Sequence, residues 1–205
     1  MTTAKNIATL AVIVLFGFGG QLRAQNTAST NGYSKGNIVV PITLRMVAPM
    51  NFGSFIPPST PGTGNVNVSH DPSVRGVSGG VTVAGTQGAT EAPSDWVVTG
   101  QPNFLYAISY GGLTPPGGAF PSSFTMTLTS TTDNTQHMTL AFAGIDVTTG
   151  GATGFGNHVS SQNPVPAQLN ATGNGAYSQG GVLFVPHGQA PGLYSGTWTE
   201  TVTYN

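Results

Sequence analysis

The side chains in this chain best able to do chemistry are four histidines, His70, His137, His158 and His187, and six carboxylates, Asp71, Glu91, Asp95, Asp133, Asp146 and Glu200. A metal site gathers three or four such ligands, and ligands that share an element fall at short fixed spacings. No pattern of the His-Glu-x-x-His kind brings two of these histidines together, and the chain has no Cys. His70 and Asp71 are adjacent, so on a strand they would point to opposite faces. With Pro72 next, they read as a turn. Asp133-Asn134 offers Ca²⁺ two oxygens, but one Asp-Asn pair reads better as a hairpin turn. Two carboxylates from distant strands would suit glycoside hydrolysis, yet six in the whole chain are thin material for it. Glycines are plentiful, but none makes a phosphate loop with a Lys. The expectation is no metal, no cofactor and no enzyme.

Two further features invite chemistry. Phe104, Tyr106, Ile108 and Tyr110 alternate, and their rings would stack on sugars if exposed. Alternating aromatics on a strand more often form core or cross-strand pairs, and that reading is preferred. Glu200 shares the parity of Trp198 and Val202 and so faces inward on a regular strand. A bulge would turn it outward. An open sheet edge would let it stay inward, and the sequence leaves both readings standing.

The elements that must carry these residues are strands. Period-two alternation recurs from Ile38 onward, and helical periodicity does not. Ile38, Val40, Ile42, Leu44 and Met46 share one face. Val66 and Val68, Trp96 and Val98, Phe124, Met126 and Leu128, and Met138, Leu140 and Phe142 repeat the pattern. Tyr194, Trp198, Val202 and Tyr204 oppose Thr197, Thr199, Thr201 and Thr203. Gly/Pro clusters such as Pro57-Pro58-Ser-Thr-Pro61-Gly62 and Gly173-Asn174-Gly175 separate the runs. About ten short strands at this spacing imply an all-β sandwich or barrel. Thr-lined outer faces and apolar inner faces imply antiparallel sheets. The stretch 144–181, rich in Gly and Pro, reads as a long surface loop or weak hairpin.

Residues 1–24 read as a cleaved signal peptide: Lys5, an apolar stretch from Ile7 to Gly20, and a cut between Ala24 and Gln25. The stretch is too short for a membrane span, so no span is expected after cleavage. Residues 25–37 read as a flexible polar leader and 38–205 as one domain. Three basic residues then face six acidic ones, which leaves no basic patch for nucleic acid. Only 5% of residues are charged, against about 25% in ordinary soluble domains. A Thr/Ser/Asn/Gly surface has little repulsion to hold copies apart. The protein is expected in the periplasm, on the cell surface or outside the cell.

Three segments carry a family resemblance: Ile42 to Pro57, with Asn51-Phe52-Gly53; Trp96 to Ile108, with Thr99-Gly100; and Gln189 to Tyr204, with Gly192-Leu-Tyr194-Ser-Gly196. Together they resemble a bacterial secreted family known as domain of unknown function 4402. That family is similar to the spore-coat-U and archaic chaperone–usher pilin domains. The resemblance implies an immunoglobulin-like, pilin-like antiparallel β-sandwich that lacks one strand and joins its neighbour by β-strand donation. It implies partners in homo-oligomers or heteropolymers, with a periplasmic chaperone and an usher. On that reading Ile38, Val40, Ile42, Leu44 and Met46 are the assembly strand. Gly192, Tyr194, Trp198, Val202 and Tyr204 are the C-terminal recognition strand. The expected role is a pilus-like or coat-like structural subunit. The alternatives are a monomeric secreted module that binds glycans or surfaces as an adhesin, and a hydrolase.

Overall fold

The computed structural model describes residues 30–69, 75–85, 91–114, 124–152, 158–159 and 163–205. His70, Asp71 and the signal cleavage site at Ala24 and Gln25 lie outside them, as do residues 25–29 of the polar leader. The chain divides into two units, Met1–Ile38 and Val39–Asn205. Among the described residues of the first unit the backbone forms no strand, and 30–38 are exposed.

The second unit is all β. The large sheet is antiparallel and runs in the order β1 (Thr43–Ala48), β6 (Ser94–Thr99), β13 (Asn174–Pro186), β9 (His137–Thr149), β8 (Thr125–Ser130) and β14 (Tyr194–Ser195). β3 (Thr63–Val68) also pairs with β13, and β4 (Arg75–Ser78) pairs with β3. β11 (His158–Val159) pairs with β9. The small sheet runs β10 (Gly151–Ala152), β12 (Val165–Gln168), β7 (Leu105–Gly111), β15 (Thr199–Tyr204). A short ribbon joins β2 (Phe55–Ile56) to β5 (Thr82–Val83).

β9 and β13 form the spine. Asn174–Gln179 of β13 pairs with β6, while Gly181–Pro186 pairs with β3 on the same edge. β9 carries an unpaired extra residue between Phe142 and Gly144 and another between Val147 and Thr149. Such bulges bend a strand and strengthen its twist. At the bend Gly144, with φ at 121°, stands opposite Gly180. A Cβ on the next residue, Gly181, would press on Leu140 and on the Met50 sulfur, so the close approach there requires glycine.

The bend separates two apolar clusters. One centres on Val98, Tyr106, Ile108, Ile145, Val165 and Tyr177, between the large and small sheets. The other centres on Val66, Leu140, Phe142, Leu183 and Val185. A fully buried Ile108 or Leu183 contributes about 1.5–3 kcal/mol. These two layers make the unit a β-sandwich, as the alternation predicts.

Three expectations need correction. The stretch 144–181 is not a surface loop: it holds the second half of β9, all of β12 and half of β13, and Ile145, Val147, Val165, Ala167 and Leu169 are buried. The strands are more numerous than ten, and two of them run to 13 residues. The run from Tyr194 to Tyr204 does not lie on one sheet. Tyr194 pairs into the large sheet opposite Ser130, the chain then crosses, and Thr199–Tyr204 pairs with β7 in the small sheet.

Candidate functional site: an open strand edge and its groove

β15 is held by β7 along its whole length, from Thr199 opposite Gly111 to Tyr204 opposite Tyr106. Among the described residues nothing pairs with its other edge. Thr199, Thr201 and Thr203 face solvent, while Glu200, Val202 and Tyr204 point inward. These inward residues are only partly buried, as are Ile42 and Leu44 of β1. The cluster between the large and small sheets is therefore sealed at Ile108 and Val98 and thinly covered along the flank between β1 and β15.

Tyr204 closes one end of that flank. Its hydroxyl accepts from the Gln101 amide at 2.6 Å and donates to the Val40 carbonyl at 2.7 Å. Its ring meets Phe104 edge-on at 5.5 Å. A side chain at Gly100 would collide with that hydroxyl, which explains why glycine follows Thr99.

Beyond the other end of β15 lies a groove of about 810 Å³. Residues 49–57, the continuation of β1, form one wall, and 189–196 with Trp198 form the other. Met126, Leu128, Met138, Leu140 and Leu183 line it between them. Gly192 has φ at 154°, and a Cβ there would sit 3.2 Å from the Thr132 hydroxyl. Tyr194 fixes this wall by donating to the Ala190 carbonyl at 2.8 Å. Leu193 is 68% exposed on its rim. Trp198 packs edge-on against Phe142, with centroids 5.2 Å apart.

Glu200 faces inward with no bulge in β15, so the open-edge reading of its parity is the one that holds. The Tyr177 hydroxyl donates to Oε2 at 2.6 Å and the Trp198 indole N–H to Oε1 at 3.0 Å. Burial raises its pKa; the two hydrogen bonds pull the other way without cancelling the shift. Burial, with Glu200 nearby, also raises Tyr110 and Tyr177, and burial alone takes Tyr106 to about 12.

Two of the other described carboxylates hold structure. Asp95 accepts from Ser178 at 2.5 Å across the β6–β13 pair. Asp133 accepts from the Thr135 amide and hydroxyl in the β8–β9 turn, and the hydroxyl bond leads in holding its pKa low. Gly76-Val77-Ser78-Gly79-Gly80 matches the Gly-x-Ser-x-Gly string of hydrolases, a match that reading the sequence for turns passes over. That motif needs a strand leading into a helix. Here Ser78 ends β4 in the sheet, opposite Asn65, and the two glycines turn toward β5.

The proposed assembly strand is divided. Ile42 and Leu44 pack in the chain's own cluster between the large and small sheets. Met46 is about half exposed beside a bulge that follows it. Ile38 is 98% exposed and Val40 is 51% exposed, both ahead of β1. Ile42 and Leu44 of the first group and Val202 and Tyr204 of the second pack against the same cluster, while Gly192, Tyr194 and Trp198 line the groove together with Met50 and Phe52, which continue the even-numbered alternation of Ile42, Leu44 and Met46 past Pro49.

Residues 42–204 match the family described as Domain of unknown function (DUF4402). The chain belongs to the DUF4402 family. No curated protein and no solved structure matches it. The DUF4402 match spans both walls of the groove and the whole of β15. It begins after Ile38 and Val40, so these two exposed residues lie outside the matched DUF4402 region.

Proposed function

We propose that this protein is an exported structural subunit of the bacterial surface or its surroundings, without catalytic activity, which receives an extended strand from a second copy of itself. The open edge of β15, continuous through Trp198 with the apolar groove, carries the reading. Main-chain hydrogen bonds give such strand addition its affinity and apolar pockets its register. An exposed edge left unprotected is a site where another chain pairs, and β15 has no Pro or Lys to block it.

Strand order supports an immunoglobulin-like, pilin-like arrangement. β1-β6-β13-β9 follow the A-B-E-D order of such a sandwich and β7-β15 follow C-F. The seventh strand, G, would lie beside β15, at the edge left open among the described residues. The occupant proposed is the segment 30–42 of a neighbouring copy. It forms no strand in its own subunit, and Ile38 and Val40 expose two apolar side chains at alternate positions. Because Ile42 and Leu44 serve their own core, the donated contacts come from the part of that segment upstream of Ile42. A likeness of this family to spore-coat-U and chaperone–usher subunits, inferred from the segments quoted above, would fit this role and would bring with it a chaperone that covers the groove before assembly.

The chain has no Cys, so cysteines can be placed as unambiguous reporters. Ile38→Cys and Leu193→Cys chains, mixed under mild oxidation, should form the mixed disulfide far faster than Ile38→Cys mixed with Val77→Cys on β4. Equal rates for the two mixtures would exclude this occupant. Binding of the monomer to immobilised glycans, without self-association, would favour the adhesin reading.

A further inference from the structure

We propose that Glu200 couples strand capture to proton uptake, so that subunits join more tightly when its carboxyl is protonated and loosen as it ionises. This rests on β15 being the acceptor edge. The geometry is specific. Glu200 is the second residue of the edge strand, and its side chain turns inward between the sheets. It meets Tyr177 from β13 and the Trp198 indole from the chain just before β15. Tyr110 stands opposite it on β7, with Tyr106 further along the same strand. All of these are neutral at ordinary pH. No cation among the described residues contributes to its ionisation.

A buried carboxylate held by neutral donors alone keeps most of its desolvation penalty. Glu200 retains part of its exposure because, among the described residues, nothing pairs with the outer edge of β15. A strand laid on that edge removes water from the same place, and further desolvation again disfavours the charged form. The docked state therefore holds the proton more tightly than the free subunit. By linkage, protons must then strengthen docking. Trp198 transmits the effect to the groove, since its N–H is tied to Glu200 and its ring to Phe142.

The sign follows from the raised pKa. In the free subunit the carboxyl contributes full stability below the ordinary Glu pKa of about 4.3, and loses it as pH rises through the raised folded value. Docking moves the upper limit higher still. Affinity should fall by up to about tenfold for each unit by which docking raises the pKa further.

Two measurements on the chain from Gln25 onward test the coupling: self-association by sedimentation, and the urea midpoint of the dissociated chain, each between pH 4 and pH 8. Wild type should associate more weakly as pH rises, and its midpoint should fall over the same range. Glu200→Gln keeps acceptor capacity without charge and should flatten both curves. Tyr177→Phe removes a donor that favours the carboxylate, so its decline should move to higher pH; this variant keeps the test alive if Glu200→Gln folds poorly. Association that is equally strong at all pH values in wild type overturns the coupling alone. No association at any pH overturns the acceptor edge and the coupling with it, while a pH-dependent midpoint would still mark the buried carboxyl.

Discussion

Tyr204→Phe removes one oxygen from the clasp that ties β15 to the entry of β1. The ring and its contact with Phe104 stay. Two hydrogen bonds go: the one accepted from the Gln101 amide and the one donated to the Val40 carbonyl. Val40 is half exposed, so water replaces that partner at small cost. The Gln101 amide lies in a part-buried pocket and loses its acceptor. A net hydrogen bond is worth about 0.5–1.5 kcal/mol, so the pair should cost about 1–2 kcal/mol. For a domain of this size each kcal/mol corresponds to a fall in Tm of about 2–4 °C. Thermal unfolding followed by Trp fluorescence should thus shift down by about 2–8 °C, on the same conversion. Hydrogen exchange at the Gln101 amide should accelerate more than at Gly100, which bonds instead to the Gly173 carbonyl. An unchanged Tm with unchanged exchange at Gln101 would mean that the clasp does not form in solution.

The remaining predictions concern the uneven cover of the core. Leu183→Ala should cost about 2–5 kcal/mol as a cavity in a sealed site, whereas Val202→Ala, on the thinly covered flank, should cost well under half as much in the dissociated chain; equal losses in urea titrations would contradict the difference in burial. Among the described residues the buried Tyr106 hydroxyl has no hydrogen-bond partner, so Tyr106→Phe should be neutral or stabilising by about 1 kcal/mol; a loss of stability would reveal a partner. With the Tyr106 pKa raised to about 12 and those of Tyr110 and Tyr177 raised too, stability should be full below the unfolded value of about 10 and fall as pH climbs past it. Phenolate absorbance of these tyrosines should then appear together with unfolding; appearance well before it would contradict their burial.

The strands with an unbroken period of two were legible: Val66 and Val68, Met126 and Leu128, and Met138 to Phe142 all point inward as the alternation requires. The spine was hidden by its own bulges. The large buried side chains on β9 fall at 138, 140, 142 and then 145, 147, because the extra residue near Ala143 reverses the parity. Val165, Ala167 and Leu169 do alternate, but a small central Ala among prolines and glycines gives a faint signal. Glu200 was visible as a residue that broke a pattern, and Tyr204 as an aromatic on a strand. The groove was not visible, since its walls come from 49–57 and 189–198, segments far apart in sequence and mostly without alternation.

The central claim is that the outer edge of β15 takes a strand. Hydrogen exchange resolved to single residues across Thr199–Tyr204 tests it, with a peptide of residues 30–42 added to the dissociated chain. The β15 amides that point away from β7 should exchange rapidly alone and slow by at least about tenfold with peptide, as expected for newly paired edge groups. Protection of those amides before any peptide or neighbour is present, or no change at saturating peptide, would contradict the account.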